Sequence, residues 1–444
     1  MPAASTSLDS ALAQSEQRLV RKVAWRLMPL IMISYFFAFF DRINIGFAKA
    51  ELTADLGLSN TAYGLGASLF VVGYVLCEVP SNLFLYKVGA RQWIARIMVS
   101  WGLATAAMVL VTSPWQFYAL RFVTGAMEAG FAPGIIYYLS TWFPTSHRGR
   151  ITSALFVASA CSGMFGGPLA GAILAWSDGL YGLAGWHWLF LFGGLPCVVL
   201  GLVVLRFLDN QIDDARWLDA NEKVQLATMI VQTEQDGKSH SLLDAIRSPA
   251  VLLLGLLYFL IQIGSYGLNF WAPDLIRSAG VTSALATGML TAVPYVCGVG
   301  SMIVIGYLSD QSGERRVYVV GCLIAAAAGF IGAGLFDRSI GGLVLALGLI
   351  GAGIIAAIPA FWALPPKLLT GAGAAGGIAL INTLGQCGGI VSPLLVGRIK
   401  DVSGSATPAL YVIGGLCVLG AAILMFAAPA ALRARDQVAR STGY

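Results

Sequence analysis

Charged residues are scarce in this chain of 444 residues, in which Asp, Glu, Lys and Arg together make up 11%. Hydrophobic residues make up 57%, and the mean hydropathy is +0.78. So little polar surface cannot cover a soluble globule of this size. The composition therefore excludes an ordinary soluble domain and indicates a protein that lies in a lipid bilayer.

Clusters of residues that would bind a metal or catalyse a reaction are also missing. The seven cysteines lie within apolar runs with no close pair and no neighbouring histidine, which argues against a disulfide framework and a zinc site. The three histidines, His147, His187 and His240, fall in predicted loops or at a helix edge, and the sequence has no phosphate-binding loop or nucleotide fingerprint. We therefore expect no enzyme activity, no metal and no cofactor, with an ion gradient as the source of energy.

A basic stripe and a signal peptide are absent as well. The formal net charge is +5, but the 27 Lys and Arg residues are spread in small groups between apolar runs, so nucleic acid is not an expected partner. Residues 1–20 are polar and lack the apolar core and cleavage site of a signal peptide. We expect the first hydrophobic stretch to remain as a membrane span, with the amino terminus in the cytoplasm.

Long apolar stretches are what the sequence does have. Crossing a hydrocarbon core of about 30 Å takes roughly 20 mainly apolar residues in a helix. Division of the chain at its polar breaks predicts twelve spans. Their approximate bounds are 27–49, 61–86, 93–112, 115–142, 150–176, 187–207, 249–272, 283–309, 317–336, 341–365, 372–396 and 408–432.

The distribution of basic residues orients these spans. With a cytoplasmic amino terminus, twenty of the Lys and Arg residues lie on the cytoplasmic side or at its edge, and Arg42 and Arg121 lie inside spans. Five lie on the outer side: Lys49, Arg277, Arg338, Arg398 and Lys400. Because basic loops resist translocation, we predict a multi-pass protein of the bacterial inner membrane with both termini cytoplasmic.

The longest polar stretch lies between the sixth and seventh spans and divides the chain in two. We predict a cytoplasmic amino-terminal segment (1–26), an N-terminal six-helix bundle (27–207), a cytoplasmic linker (208–248), a C-terminal six-helix bundle (249–432) and a cytoplasmic tail (433–444). The predicted fold is an all-α polytopic membrane protein, with a substrate site between the two bundles near the membrane midplane.

One loop motif is specific. The loop after the eighth span matches G-x-x-x-D-x-x-G-x-R-R, the loop motif of the major facilitator superfamily, at Gly306, Asp310, Gly313, Arg315 and Arg316. In that superfamily the acid and the arginines latch cytoplasmic helix ends in one conformation, and the resemblance implies that role for these five residues. The alternative is that the two arginines are ordinary positive-inside anchors.

Three further segments narrow the resemblance. They are 35–46 in the first span, 121–133 in the fourth and 266–273 in the seventh. Together they resemble the anion:cation symporter family, which includes bacterial permeases for sugar acids, tartrate, phthalate and hydroxyphenylacetate. The resemblance implies the twelve-helix major facilitator fold and proton-coupled symport of a small organic anion, such as a sugar acid, a hydroxy acid or an aromatic acid, by alternating access.

The first and fourth predicted spans contain four charged residues: Asp41, Arg42, Arg121 and Glu128. Each costs about 2.5–3.5 kcal/mol at the centre of a membrane helix, which favours a functional role. Helical spacing places Asp41 and Arg121 at one level, and Glu128 on the face of Arg121 about 10 Å deeper. A guanidinium can hold a carboxylate through two parallel hydrogen bonds, and a buried carboxylic acid can carry a proton.

The family resemblance implies a role for each of these residues. Asp41 and Glu128 would carry protons, and Arg42 and Arg121 would face the substrate anion. Further residues are implied to line the site opposite the charges: Tyr74, Trp362 and Asn382. Three polar residues either line the site as well or bond a neighbouring helix: Tyr266, Asn269 and Gln386.

Several alternatives remain open at this stage. Asp41 with Arg42, and Arg121 with Glu128, could be structural ion pairs. Glu78, near the inner end of the second span, could relay a proton, but solvation from the nearby loop is the favoured interpretation.

Alternatives remain for the function too. The run Gly163–Gly171 resembles a motif of proton-linked antiporters, so exchange of a substrate for protons or of one anion for another is the second hypothesis, and a transporter-shaped receptor without flux is the third. The expected partners are a small organic anion, protons and the bilayer, and we expect a monomer.

Overall fold

The computed structural model describes residues 3–231, 248–312, 314–365 and 374–427, and within these ranges the chain forms helices and loops with no strand. These described residues form fifteen α-helices, numbered in chain order. Their bounds are α1 Ala3–Asp55, α2 Asn60–Val88, α3 Ala90–Ala106, α4 Pro114–Glu128, α5 Phe131–Trp142, α6 Thr145–Ser177, α7 Gly185–Phe207, α8 Ala220–Val231, α9 Pro249–Ser278, α10 Ala284–Ser312, α11 Arg315–Leu335, α12 Ile340–Trp362, α13 Ala374–Gln386, α14 Gly388–Ser403 and α15 Thr407–Ala422.

Eleven segments of the described chain are helical, long and apolar enough to cross a membrane. The predicted span 115–142 is not among them, because α4 ends at Glu128 and α5 begins at Phe131. Gly130 between them has φ +87°, a left-handed conformation that interrupts the helix, and Pro133 has no N–H to donate to the carbonyl of Ala129. Counting α4 and α5 as one interrupted crossing confirms the twelve predicted crossings, while the prediction of one continuous helix there was wrong.

The helices pack into two bundles, the N-half (α1–α7) and the C-half (α9–α15). In the N-half α2 packs along α4, α3 along α7, and α1 against α6 and α7. In the C-half α12 packs along α10 and α11, α11 along α15, and α9 along α13. Buried apolar side chains fill each bundle, and the six crossings in each half confirm the predicted two-bundle fold.

The two halves meet along three helix pairs: α6 with α10, α2 with α14, and α1 with α9. The close glycine contacts between the halves lie near the end of the bundle at which α1 stops at Asp55, which we call the distal end. Gly167 faces Gly288, and Gly64 faces the carbonyl of Pro393. Because a glycine has no side chain, the two backbones approach closely there, and the halves are closed against each other at the distal end.

The first turn of α2 depends on the other half. Asn60 N and Thr61 N donate to the two carboxylate oxygens of Asp401 at 3.1 and 2.7 Å, and the side chains of both residues donate to the same carboxylate. Asp401 lies on α14, so a C-half residue satisfies helix-start amides of the N-half. An anion at a helix amino terminus is also favoured by the helix dipole.

The linker between the halves contains one described α-helix, α8. Glu222 N donates to Asp219 Oδ1, and Asp219 N donates to Glu222 Oε2, a reciprocal cap that fixes the start of this helix. Lys22 of α1 binds Glu222 at 2.6 Å, and Leu226 and Ile230 are buried against the N-half. The first part of the linker is therefore attached to the N-half.

The glycine contacts inside one bundle can be tested at Gly351. A methyl group there would collide with the backbone carbonyl of Pro294, whereas a methyl group at Gly300 on the same pair of helices would meet nothing. We expect Gly351→Ala to destabilise the protein by about 1–3 kcal/mol through overpacking, and Gly300→Ala to have no such effect. Thermal unfolding of the detergent-solubilised variants measures the difference, and equal midpoints would contradict the packing.

Candidate functional site

The charged residues of the first and fourth crossings come together in the N-half, and one ion pair dominates the group. Arg42 donates from both Nε and Nη2 to Glu128 Oε1, each at 2.6 Å. Glu128 has no exposed surface, and Arg42 is only slightly exposed. A buried carboxylate requires such a charge-assisted contact, because an unpaired one would be strongly destabilising.

Asp41 contacts a different helix from Arg42. Its Oδ2 accepts a hydrogen bond from Thr105 Oγ1 of α3 at 2.9 Å, and its side chain is buried. Asn44, one turn further along α1, is also buried, and neither polar atom of its side chain has a partner within the described ranges. Asp41 is thus separated from Arg42, its neighbour in sequence, and held by a neutral hydroxyl.

Arg121 is the one of the two arginines that has no carboxylate partner among the described residues. It is buried on α4, its guanidinium carbon lies 4.6 Å from the centre of the Phe70 ring, and its Nε and Nη2 atoms have no hydrogen-bond partner in the described part of the chain. The alternative of structural pairs, Asp41 with Arg42 and Arg121 with Glu128, was therefore wrong in both pairings. An arginine with a free planar edge is suited to a carboxylate ligand.

Aromatic rings surround the arginine that is paired. The Arg42 guanidinium carbon lies 4.9 Å from the ring centre of Tyr74 and 5.5 and 5.8 Å from those of Phe39 and Phe70. Tyr74, a predicted site residue, is therefore in contact with the charged group. These ring faces stabilise the cation while excluding water from the Arg42–Glu128 pair.

The C-half contributes neutral polar side chains. Tyr266 donates from its hydroxyl to Gln386 Oε1 at 2.9 Å and lies within electrostatic range of Arg42. Asn269 accepts from the Tyr295 hydroxyl at 2.6 Å, so it bonds a neighbouring helix. The ring of Trp362 packs 5.0 Å from that of Tyr258.

Asn382 bridges the halves. Its Nδ2 donates to Glu78 Oε1 at 3.3 Å, from α13 to α2. Glu78 is 7% exposed, so the favoured interpretation of it as a solvated residue was wrong. It is a buried acid whose described hydrogen bond comes from the opposite half, so the other interpretation of this intramembrane charge, as a proton relay, stays a prediction.

Residues 31–393 match the Major Facilitator Superfamily. The chain belongs to this superfamily.

Relatives of known name agree with this membership. A proposed tartrate transporter of Agrobacterium vitis is 44% identical over 412 residues, which is 92% of this chain and 94% of the relative. A quinolone resistance transporter of Acinetobacter baumannii is 38% identical over 413 residues, with 91% and 94% covered. The fold matches the solved structure of the xylose transporter XylE from E. coli with a TM-score of 0.73 at 14% identity, covering 91% of this chain and 97% of that one.

The superfamily's loop motif makes its contacts within the C-half. Arg315 Nη2 lies 3.2 Å from Asp310 Oδ1, and its Nη1 donates to the carbonyl of Ala363. Arg316 donates to the carbonyl of Met425. Gly306 lies on α10 with open space where a side chain would be, and Gly313 falls outside the described residues. The motif joins helix ends of one bundle here, and its role as a conformational latch remains a prediction.

The free edge of Arg121 leads to a test of carboxylate binding by this major facilitator protein. We expect Arg121→Lys to reduce the affinity for a carboxylate ligand by at least tenfold while the protein stays folded, because Lys keeps the charge but loses the planar fork. Arg96→Lys is the matched control, since Arg96 also stacks on an aromatic ring, that of Trp93, outside the site. Ligand-induced thermal shifts measure both affinities, and unchanged affinity in Arg121→Lys would make this residue structural.

Proposed function

We propose that this transporter takes up a small organic carboxylate together with protons, by alternating access of the site around Arg42, Arg121, Asp41 and Glu128. The observation that carries the proposal is the Arg42–Glu128 ion pair beside the unpaired edge of Arg121. One guanidinium is available to a substrate carboxylate, and the second becomes available only when Glu128 releases it.

The ion pair favours symport over exchange. Glu128 and a substrate carboxylate compete for the same guanidinium of Arg42. A proton on Glu128 removes the negative charge that holds Arg42 and so favours binding of the anion; by linkage, the bound anion favours protonation of Glu128. Two ligands that favour each other's binding travel together, whereas exchange requires them to compete.

Asp41 supplies a second position for a proton. Among the described residues, its hydrogen-bond partner is the Thr105 hydroxyl, which can donate to the ionised carboxylate or turn to accept from the protonated one. Asp41 also lies within electrostatic range of Arg121. A proton there would leave Arg121 more fully available to an anion.

The substrate class and the topology belong to the same proposal. The relative from Agrobacterium vitis is described as a tartrate transporter, and a hydroxy dicarboxylate has two charges to place against two arginines. With the amino terminus in the cytoplasm of a bacterium, the closed distal end faces outward. The proton gradient then supplies the energy to a monomer that needs no cofactor.

Exchange of a substrate for protons is the second candidate. The relative from Acinetobacter baumannii is described as a quinolone resistance transporter, a description that fits export of a drug. The glycine run of the fifth crossing does not favour exchange, because Gly167 and Gly171 are in contact with α10 and closeness of packing explains them.

The direction of proton movement separates the two candidates. Proteoliposomes are given tartrate, gluconate or 4-hydroxyphenylacetate outside, and the external pH is recorded. We expect substrate-dependent alkalinisation outside for at least one of the three, since protons enter with the anion. Acidification would support exchange, and no flux of any of the three would contradict carboxylate transport.

Replacing Glu128 by Gln is expected to uncouple transport from the proton gradient, because the amide keeps the volume and hydrogen bonding of the side chain but cannot titrate. Counterflow exchange of labelled for unlabelled substrate should persist, whereas uptake driven by a pH gradient should fall to the level of empty liposomes. Glu51→Gln is the control, since Glu51 binds the Trp186 amide at the distal end instead of an arginine.

The variant Asp41→Asn tests whether Asp41 carries the second proton. Loss of gradient-driven uptake with retained counterflow would make Asp41 a proton carrier, and loss of binding would mean that it orients the arginines. A double variant, Glu128→Gln with Asp41→Asn, that still concentrates substrate against its gradient would rule out the proposed mechanism.

A further inference from the structure

Three charged side chains meet at the distal end, away from the central site. Lys49 of α1 lies 2.6 Å from Asp274 Oδ1, and Lys400 of α14 lies 2.6 Å from Asp274 Oδ2. We call these three residues the distal cluster. A single carboxylate is thus shared by two ammonium groups, and the cluster carries one more positive than negative charge.

Lys49 is the more deeply buried of the two lysines. Its side chain is 5% exposed, it donates to Asn60 Oδ1 at 2.9 Å, and its ammonium lies 4.4 Å from the ring centre of Trp271. Burial of an ammonium group is costly unless charge and hydrogen bonds satisfy it. An apolar residue at this position would avoid that cost. The presence of a buried lysine therefore indicates a functional role.

The three charges belong unequally to the two halves. Asp274 on α9 and Lys400 on α14 both lie in the C-half, whereas Lys49 lies in the N-half. If alternating access parts the halves at this end, as the proposed function requires, Asp274 and Lys400 leave together as a neutral pair. Lys49 remains on the N-half as a cation without its carboxylate, facing the water that enters the opening.

The position of Lys49 relates it to the central site. It follows Arg42 by seven residues in one continuous helix, so it projects from nearly the same face of α1, about 10 Å closer to the distal end. An anion that enters from the distal side would reach Lys49 before it reaches Arg42. The carboxylate of Asp274 occupies that position in the closed structure.

We infer that Lys49 is a docking site for the substrate carboxylate at the distal mouth, and that Asp274 takes the place of the substrate there when the halves close. Binding of Asp274 to Lys49 displaces the anion towards Arg42 and closes the path behind it. The inference rests on the proposed transport of carboxylates. It adds a binding residue that acts on one side of the membrane only.

The test compares two lysines that bind the same acid. Lys49→Gln and Lys400→Gln each remove one of the two ion pairs of Asp274, but only Lys49 is proposed to bind the substrate. Counterflow is measured in right-side-out and in inside-out membrane vesicles, with labelled tartrate, gluconate or 4-hydroxyphenylacetate outside. We expect Lys49→Gln to raise KM about tenfold in the orientation that exposes the distal end, with KM unchanged in the other.

The controls separate docking from closure. Lys400→Gln should leave KM within twofold of wild type in both orientations, and Lys49→Arg should restore the wild-type KM because it keeps the charge. Equal increases for Lys49→Gln and Lys400→Gln, or an increase for Lys49→Gln in both orientations, would overturn the docking role and leave carboxylate transport standing. Wild-type vesicles that exchange none of the three anions would instead contradict the proposed function, and the docking role with it.

A second variant tests the inference without a change at Lys49. Asp274→Asn removes the internal competitor, so KM in the orientation that exposes the distal end should decrease severalfold while KM in the other orientation does not. An increase in KM there would show that Asp274 does not compete with the substrate.

Discussion

The charged site depends on the burial of an acid that must be neutralised. Glu128 lies with no exposed surface at the last residue of α4, and the guanidinium of Arg42 compensates its charge. That compensation fixes the distance between the first and fourth crossings and leaves Arg121 without a carboxylate partner among the described residues. Neutralising Glu128 releases Arg42, so that both guanidinium groups are then available to an anion.

The two bundles contribute unequal chemistry. The charged groups of the central site come from α1 and α4, while the C-half presents hydroxyl, amide and ring groups to the same region. Electrostatic coupling can therefore act within one rigid bundle, and the neutral bundle can move against it without separating an ion pair at the centre. Besides the contacts of Asp401, two described hydrogen bonds join the halves through α2: Ser68 Oγ donates to the carbonyl of Ile390 at 2.7 Å, and Asn382 Nδ2 donates to Glu78 Oε1 at 3.3 Å.

The number of crossings, the two bundles and the charged residues of the first and fourth crossings were predictable from the sequence, because apolar stretches of bilayer length and charges inside them are visible without coordinates. The partners of those charges were not. Helical spacing gives the height and face of Arg42 and Arg121, but a long side chain reaches several ångströms along the helix, and Arg42 extends to Glu128 instead of to its neighbour Asp41.

Two other features depended on contacts between distant segments. The predicted span bounds and the cytoplasmic amino terminus place Lys49 on the outer side, but they do not predict its burial against Asp274, 225 residues away. The break after Glu128 was obscured because hydropathy is continuous through Gly130, and only its left-handed backbone shows where the helix stops.

The cap that Asp401 places on α2 has a consequence for hydrogen exchange. The amide protons of Asn60 and Thr61 have no acceptor within their own helix, and their protection depends on a carboxylate of the other half. Parting of the halves exposes both amides to solvent while the rest of α2 stays hydrogen-bonded. The exchange rates of these two amides therefore record how often the distal end opens, in the unmodified protein and without an attached label.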